Sequence, residues 1–216
     1  MVSRNYRGLS LGQRLYQRRD RIVIAATEIF AKQGYWHTTV DEICGLAHVA
    51  KRDFYDIYDG KEDVFRDLYD EIIEIALDAT KQAIHDAPND LENTFRAGIS
   101  AFLRIALSDP NRVRILFVEA AGISEAMGLR RREALHEFSR LVQVQFDKFG
   151  SSAAVITKHS PYTQRALALV GAAKEVIADW AADRKKTSID ELTENLTEIF
   201  TAVFNSIVDF SKLSVS

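Results

Sequence analysis

Apolar residues recur with helical spacing from about residue 13 to residue 210. The only three prolines, Pro88, Pro110 and Pro161, stand where one such run stops or another starts. No stretch alternates with the two-residue period of a strand, so the pattern restricts the chain to an all-α fold. The spacing predicts nine helices, over about 13–33, 40–47, 50–57, 61–85, 91–107, 111–121, 123–149, 162–184 and 189–210. GSSAAVITKHSP, at 150–161, is the most loop-like segment.

Two of these helices are too short to stand alone. Helices of about two turns are marginal in water, so the runs at 40–47 and 50–57 must be clamped by the long helices on either side. Thr38 and Thr39 are good N-caps for the first, and Val40, Ile43, Cys44 and Ala47 give it a buried side of small and apolar groups. His48-Val49-Ala50 then redirects the chain, with Val49 filling the angle between two crossing helices. That is helix-turn-helix geometry, in which the second helix projects into the DNA major groove. The second helix, AKRDFYDI, offers Lys51, Arg52 and Asp53 to base edges, anchors itself through Phe54 and Ile57, and leaves Tyr55 to reach a phosphate. Lys61 follows at the start of the next helix, where a cation opposes the helix dipole that Glu62 and Asp63 complement. A DNA phosphate at that position, approached closely across Gly60, would account for it.

Charge supports a polyanion partner for one end of the chain. The net charge of −3 divides into +3 for residues 1–61 and −6 for the remainder, and before residue 22 six arginines face only Asp20. A solvated tail is the alternative reading of that basic arm. With 47% apolar and 27% charged residues, the chain has the composition of a folded protein with a substantial core. Cys44 is the only cysteine, which excludes an internal disulfide, and no Cys/His spacing suits a zinc site, so no metal is expected. We read Cys44 as a small buried hydrophobe. The opening residues lack the apolar core of a signal peptide and no stretch has the length and apolarity of a membrane span, so a cytoplasmic protein is expected.

The stretch RIVIAATEIFAKQGYWHTTVDEICGLAHVAKRDFYDIYDGKEDVF, residues 21–65, resembles the DNA-binding domain of the tetracycline-repressor (TetR) family of transcriptional regulators. Arg21, Ala26, Phe30, Gly34, Thr39, Val40, Ile43, Ala47, Val49, Phe54, Tyr55 and Lys61 carry the resemblance. It implies a DNA-binding domain over 1–60 and a helical effector-binding and dimerisation domain over 61–216. It also implies operator contacts by Thr39, Ala50, Lys51, Arg52, Asp53, Tyr55, Tyr58 and Lys61, with Arg14, Arg18 and Arg19 as arm contacts. Tyr58 has a core or rim role as its alternative. The sequence departs from the family pattern at His48, where Gly is usual, at Ala50, where Ser or Thr is usual, and at Arg52-Asp53, often Gly-Thr. His tolerates a left-handed turn better than most residues, but Arg52 and Asp53 change the chemistry of the reading face.

In the C-terminal part, RALALVGAAKEVIADW offers small residues that let helices approach closely, and the last helix adds a long apolar stripe. The resemblance implies a homodimer joined by a four-helix interface through Leu167, Val170, Gly171, Ile177, Phe200 and Phe204. Completion of a monomer core is the alternative. The resemblance further implies a pocket for a small-molecule effector, with Phe102, Phe117, Phe138 and Trp180 as its lining. His136 and Glu119 read as satisfied polar groups, and Arg130, Arg131 and Arg132 as a solvated face. The function expected is a ligand-responsive repressor bound as a homodimer to a palindromic double-stranded operator. A helical adaptor that binds only proteins is the alternative, and no catalytic motif favours an enzyme.

Overall fold

The computed structural model describes residues 11–150, 162–182 and 187–213. The basic arm before Leu11 and most of the expected loop at 150–161 lie outside these residues. Among the described residues there are nine α-helices and no strand. They form two compact units, the first ending at Asp70 and the second beginning at Glu71, within one continuous helix.

The first unit is built from α1 (Leu11–Gln33), α2 (Val40–Ala47), α3 (Lys51–Tyr55) and the start of α4 (Lys61–Asp86). Ile22, Ala26, Phe30, Ile43, Phe54, Val64 and Phe65 are fully buried together. Each large side chain so buried contributes roughly 1.5–3 kcal/mol. Phe30 and Phe65 meet edge to face at 5.2 Å, which ties α1 to α4. Gly34, at φ 86°, ends α1 and donates its N–H to Phe30 O. Thr39 then caps α2. Its hydroxyl accepts from Glu42 N–H while the Glu42 carboxylate accepts from Thr39 N–H, so two orphan donors of the helix start are satisfied. That backbone bond is also the main reason the Glu42 carboxyl is held below its ordinary range.

The second unit holds the rest of α4, α5 (Leu91–Ala106), α6 (Pro110–Arg114), α7 (Glu125–Phe149), α8 (Thr163–Ala182) and α9 (Ile189–Leu213). Asp90, Asp109 and Ser124 cap α5, α6 and α7 with their side chains. Helix α5 packs on α9 and α7 on α8 around Phe95, Phe146, Leu169, Phe200 and Phe204. Arg96 reaches from α5 to Glu194 and Arg104 to Asp190, 3.0 Å away, along the rim of that packing.

The sequence expectation of a single helix over 111–121 is corrected here. After α6 the chain widens into a π turn, Ile115–Glu119, closed by Ala120 N–H on Ile115 O. Arg114 and Glu119, five apart, form an ion pair at 2.9 Å that fits the wider turn. Helix α3 is also shorter than expected, five residues instead of eight, although Tyr58 N–H still reaches Phe54 O.

Candidate nucleic-acid interface

The turn between α2 and α3 depends on one residue. His48 adopts the left-handed conformation, φ 52° and ψ 48°, and is the one non-glycine residue with positive φ among those described. Its N–H and that of Val49 close back on Gly45 O and Cys44 O, which stops α2 within a single residue. Arg21 of α1 donates to His48 O at 3.2 Å. Val49 is buried beneath the turn, as its sequence position suggests. Cys44 is buried alongside, and burial pushes its thiol above the ordinary value, so it packs as a small hydrophobe.

Helix α3 is held inward by Phe54, which is fully buried and packed against Tyr58. Its outward side carries Lys51, Arg52 and Tyr55, all exposed, with Ala50 exposed at the N-cap. Among the described residues the Arg52 side chain makes no ion pair or hydrogen bond. Lys51 is tied to Asp41 of α2 at 2.7 Å, a bond that raises the lysine above its ordinary value. Asp53 is held at 3.2 Å by Arg18 of α1. Of the two cations on this helix, Arg52 is therefore the one left available, and arginine is the residue type that makes bidentate contacts to guanine.

Several expectations change when the side chains are placed. Tyr58 is not an outward contact: it is 5% exposed, and its hydroxyl donates to Asp67 of α4. Burial is the main reason its phenol is pushed above the ordinary tyrosine value. Arg18 and Arg19 do not belong to a free arm. Both lie in α1, Arg18 on Asp53 and Arg19 on Asp67 at 2.8 Å. Arg14 stays exposed on the same helix, and Thr39 is spent on the cap of α2. Lys61 points back into its own unit, donating to Tyr35 O at 2.8 Å and Thr38 O at 2.7 Å. No local signal in the sequence marks the partners of Arg18, Arg19 and Lys61, which lie between 23 and 48 positions away.

In the second unit, Phe102 and Phe138 meet edge to face at 4.9 Å. Among the described residues no ring contact joins Phe117 or Trp180 to them. Phe117 sits in the π turn, half-buried, and the Trp180 indole donates to Thr187 O. The expected interface set divides as well. Ile177, Phe200 and Phe204 are buried within the chain itself, 3%, 4% and 6% exposed, which corrects their assignment to a dimer face. Leu167, Val170 and Gly171 are half-buried, whereas Ala168, Ala172 and Val176 of α8 and Ile199 and Ala202 of α9 are exposed.

Comparison with known proteins agrees with this architecture. Residues 22–68 match the model of the bacterial regulatory proteins of the tetR family. Over 101 residues the chain is 27% identical to the HTH-type transcriptional activator FasR of Mycolicibacterium smegmatis, an alignment covering 47% of this chain and 46% of FasR. The chain thus spans about half the length of that curated relative. The fatty acid degradation regulator FadR of Bacillus halodurans superposes with a TM-score of 0.71 at 20% identity, over 85% of this chain and 94% of that one. FadR of Bacillus subtilis, solved in complex with stearoyl-CoA, gives a TM-score of 0.71 at 18% identity, over 84% and 96%.

Proposed function

We propose that this chain, whose residues 22–68 match the model of the tetR family of bacterial regulatory proteins, is a ligand-responsive repressor that binds a near-palindromic operator as a homodimer in the cytoplasm. The observation that carries this reading is the exposed side of α3, where unpaired Arg52 and exposed Tyr55 stand clear of a turn fixed by His48. Arg52 reads a base edge, Tyr55 and the N-terminus of α4 meet the backbone, and Lys51 and Asp53 border the contact. DNA binding is assigned to the first unit, which includes the start of α4 and ends at Asp70 instead of at the expected residue 60, and effector binding and dimerisation to the second.

The dimer proposed here uses the exposed small and apolar residues of α8 and α9, Ala168, Ala172, Val176, Ile199 and Ala202, in place of the buried phenylalanines. Small residues let two helix pairs approach closely, and Val176 and Ile199 supply apolar area that water otherwise covers. Among the described residues no helix is long and apolar enough to cross a membrane. The effector proposed is a small molecule, and the stearoyl-CoA bound by Bacillus subtilis FadR makes a long-chain acyl-CoA the first class to test.

A ligand switches such a protein only through its different affinities for the DNA-bound and free forms, and the coupling is reciprocal. Calorimetric titration of stearoyl-CoA into the full chain, with and without operator, is the test. The repressor reading expects weaker acyl-CoA binding when operator is present. Tighter binding would make DNA and ligand cooperative, and equal affinities would remove acyl-CoA as the switch.

A further inference from the structure

Lys61 stands at the first position of a 26-residue helix, where its charge opposes the helix dipole. From sequence alone an external anion is the natural explanation. The structure supplies a different one. The ammonium sits within hydrogen-bond distance of two backbone carbonyls, Tyr35 O and Thr38 O, and lies 4.4 Å from the centroid of the Tyr35 ring. An ammonium has three donors and no acceptor. Two carbonyls and a ring face account for all three, and a ring face is a proper partner for a cation. Tyr35 O also accepts Thr38 N–H, so the ammonium closes a turn that the backbone has already begun to fold. The negative ends of these carbonyls offset the unfavourable dipole with no phosphate present.

The placement of this strut gives it a consequence for recognition. The turn it holds, residues 34–39, ends at the Thr39 cap of α2. Helix α2 leads through the His48 turn to α3, and the lysine's own helix begins just after α3. A single ammonium therefore ties the entry of the helix-turn-helix to its exit. The helices between are eight and five residues long and too short to fix their own orientation. Burial lowers the affinity of the lysine for its proton, with Glu42 acting in the opposite sense, as expected for a cation that has left water.

We propose that Lys61 is a positioning residue that orients α3 against the operator, and that it is not a phosphate contact. The proposal rests on the reading of α2 and α3 as the operator-binding element. A phosphate contact and a strut differ in what their loss changes. Loss of a phosphate contact weakens binding to every duplex alike and lowers the slope of log K against log salt by about 0.9. Loss of a strut leaves the slope and random-duplex affinity unchanged. It weakens operator binding by about the value of one well-made base contact, roughly tenfold.

The test uses the full chain with Lys61→Met and Lys61→Arg. Hydrogen exchange of the DNA-free proteins comes first. Faster exchange over residues 34–40 in both variants is expected, because neither a thioether nor a planar guanidinium reproduces a compact ammonium between two carbonyls. Salt titrations on operator and on random duplex follow, with operator affinity reduced and slope unchanged in both variants. Unaltered exchange would overturn the proposal. So would a slope lowered by about 0.9 in Lys61→Met and restored in Lys61→Arg, since an arginine serves a phosphate as well as a lysine does. Wild-type protein that binds no DNA would overturn the operator-binding reading and the proposal with it, and the exchange data would still report whether the strut exists.

Discussion

Replacing Tyr58 with Phe removes one oxygen from a network that joins three helices. The hydroxyl donates to Asp67 on α4, Arg19 of α1 holds the other carboxylate oxygen at 2.8 Å, and the Tyr58 ring packs on Phe54 of α3. The ring is buried, so Phe keeps its packing and the loss is confined to the hydrogen bond. Such a bond to a charged acceptor contributes about 1.5–3 kcal/mol. The Tyr58→Phe variant should therefore unfold in urea at pH 8 with that much less stability. Alkaline pH adds a second, signed test. Burial raises the folded-state pKa of this tyrosine above the unfolded value. The stabilisation is therefore complete below about pH 10 and is lost as pH rises toward the folded-state value. The wild-type advantage should shrink by about 1 kcal/mol between pH 10 and pH 11, because the unfolded tyrosine is already half ionised at the lower pH. Equal stabilities at pH 8, or a gap that does not narrow with rising pH, would refute the network.

Other substitutions test other parts of the account. His48→Val places a β-branched residue at φ 52°, and a cost of about 1–2 kcal/mol is expected in denaturant unfolding, whereas His48→Gly should cost nothing or stabilise slightly. Phe146→Ala empties the centre of the second unit, where Phe146 touches Phe95, Tyr162 and Phe204, and thermal unfolding should show a loss of about 3–5 kcal/mol. Arg52→Ala should relax operator preference at one base position at a cost of about 1–3 kcal/mol, read by binding to operators varied base by base. Val176→Asp would bury an unpaired charge in the proposed dimer face, and sedimentation should show dimerisation weakened by about 3 kcal/mol or more.

The elements that proved readable from sequence are those set by local chemistry. The bounds of α2 follow from Thr39 as cap and from the apolar side of Ile43, Cys44 and Ala47, and they agree with the structure residue for residue. The end of α1 at Gln33 likewise agrees, with Gly34 as its stop. The π turn at Ile115–Glu119 left no trace, because one extra residue per turn barely disturbs the apolar period over so short a span. Charged partners were illegible for a different reason. Arg18, Arg19 and Lys61 look from sequence like cations awaiting a polyanion, and only the fold brings Asp53, Asp67 and the carbonyls of Tyr35 and Thr38 within reach. Phe200 and Phe204 illustrate the same limit for apolar groups. A helical stripe states that a face is buried, but whether its own chain or a second copy covers it depends on tertiary packing.

Footprinting of the purified full-length protein on DNA selected from genomic fragments tests the central claim most directly. Two identical heads held by one dimer must meet DNA through two half-sites. The account predicts a protected near-palindrome whose half-site centres lie about one helical turn of DNA, or a multiple of it, apart. Protection at a single unpaired site, or binding with no sequence preference at any salt concentration, would contradict it.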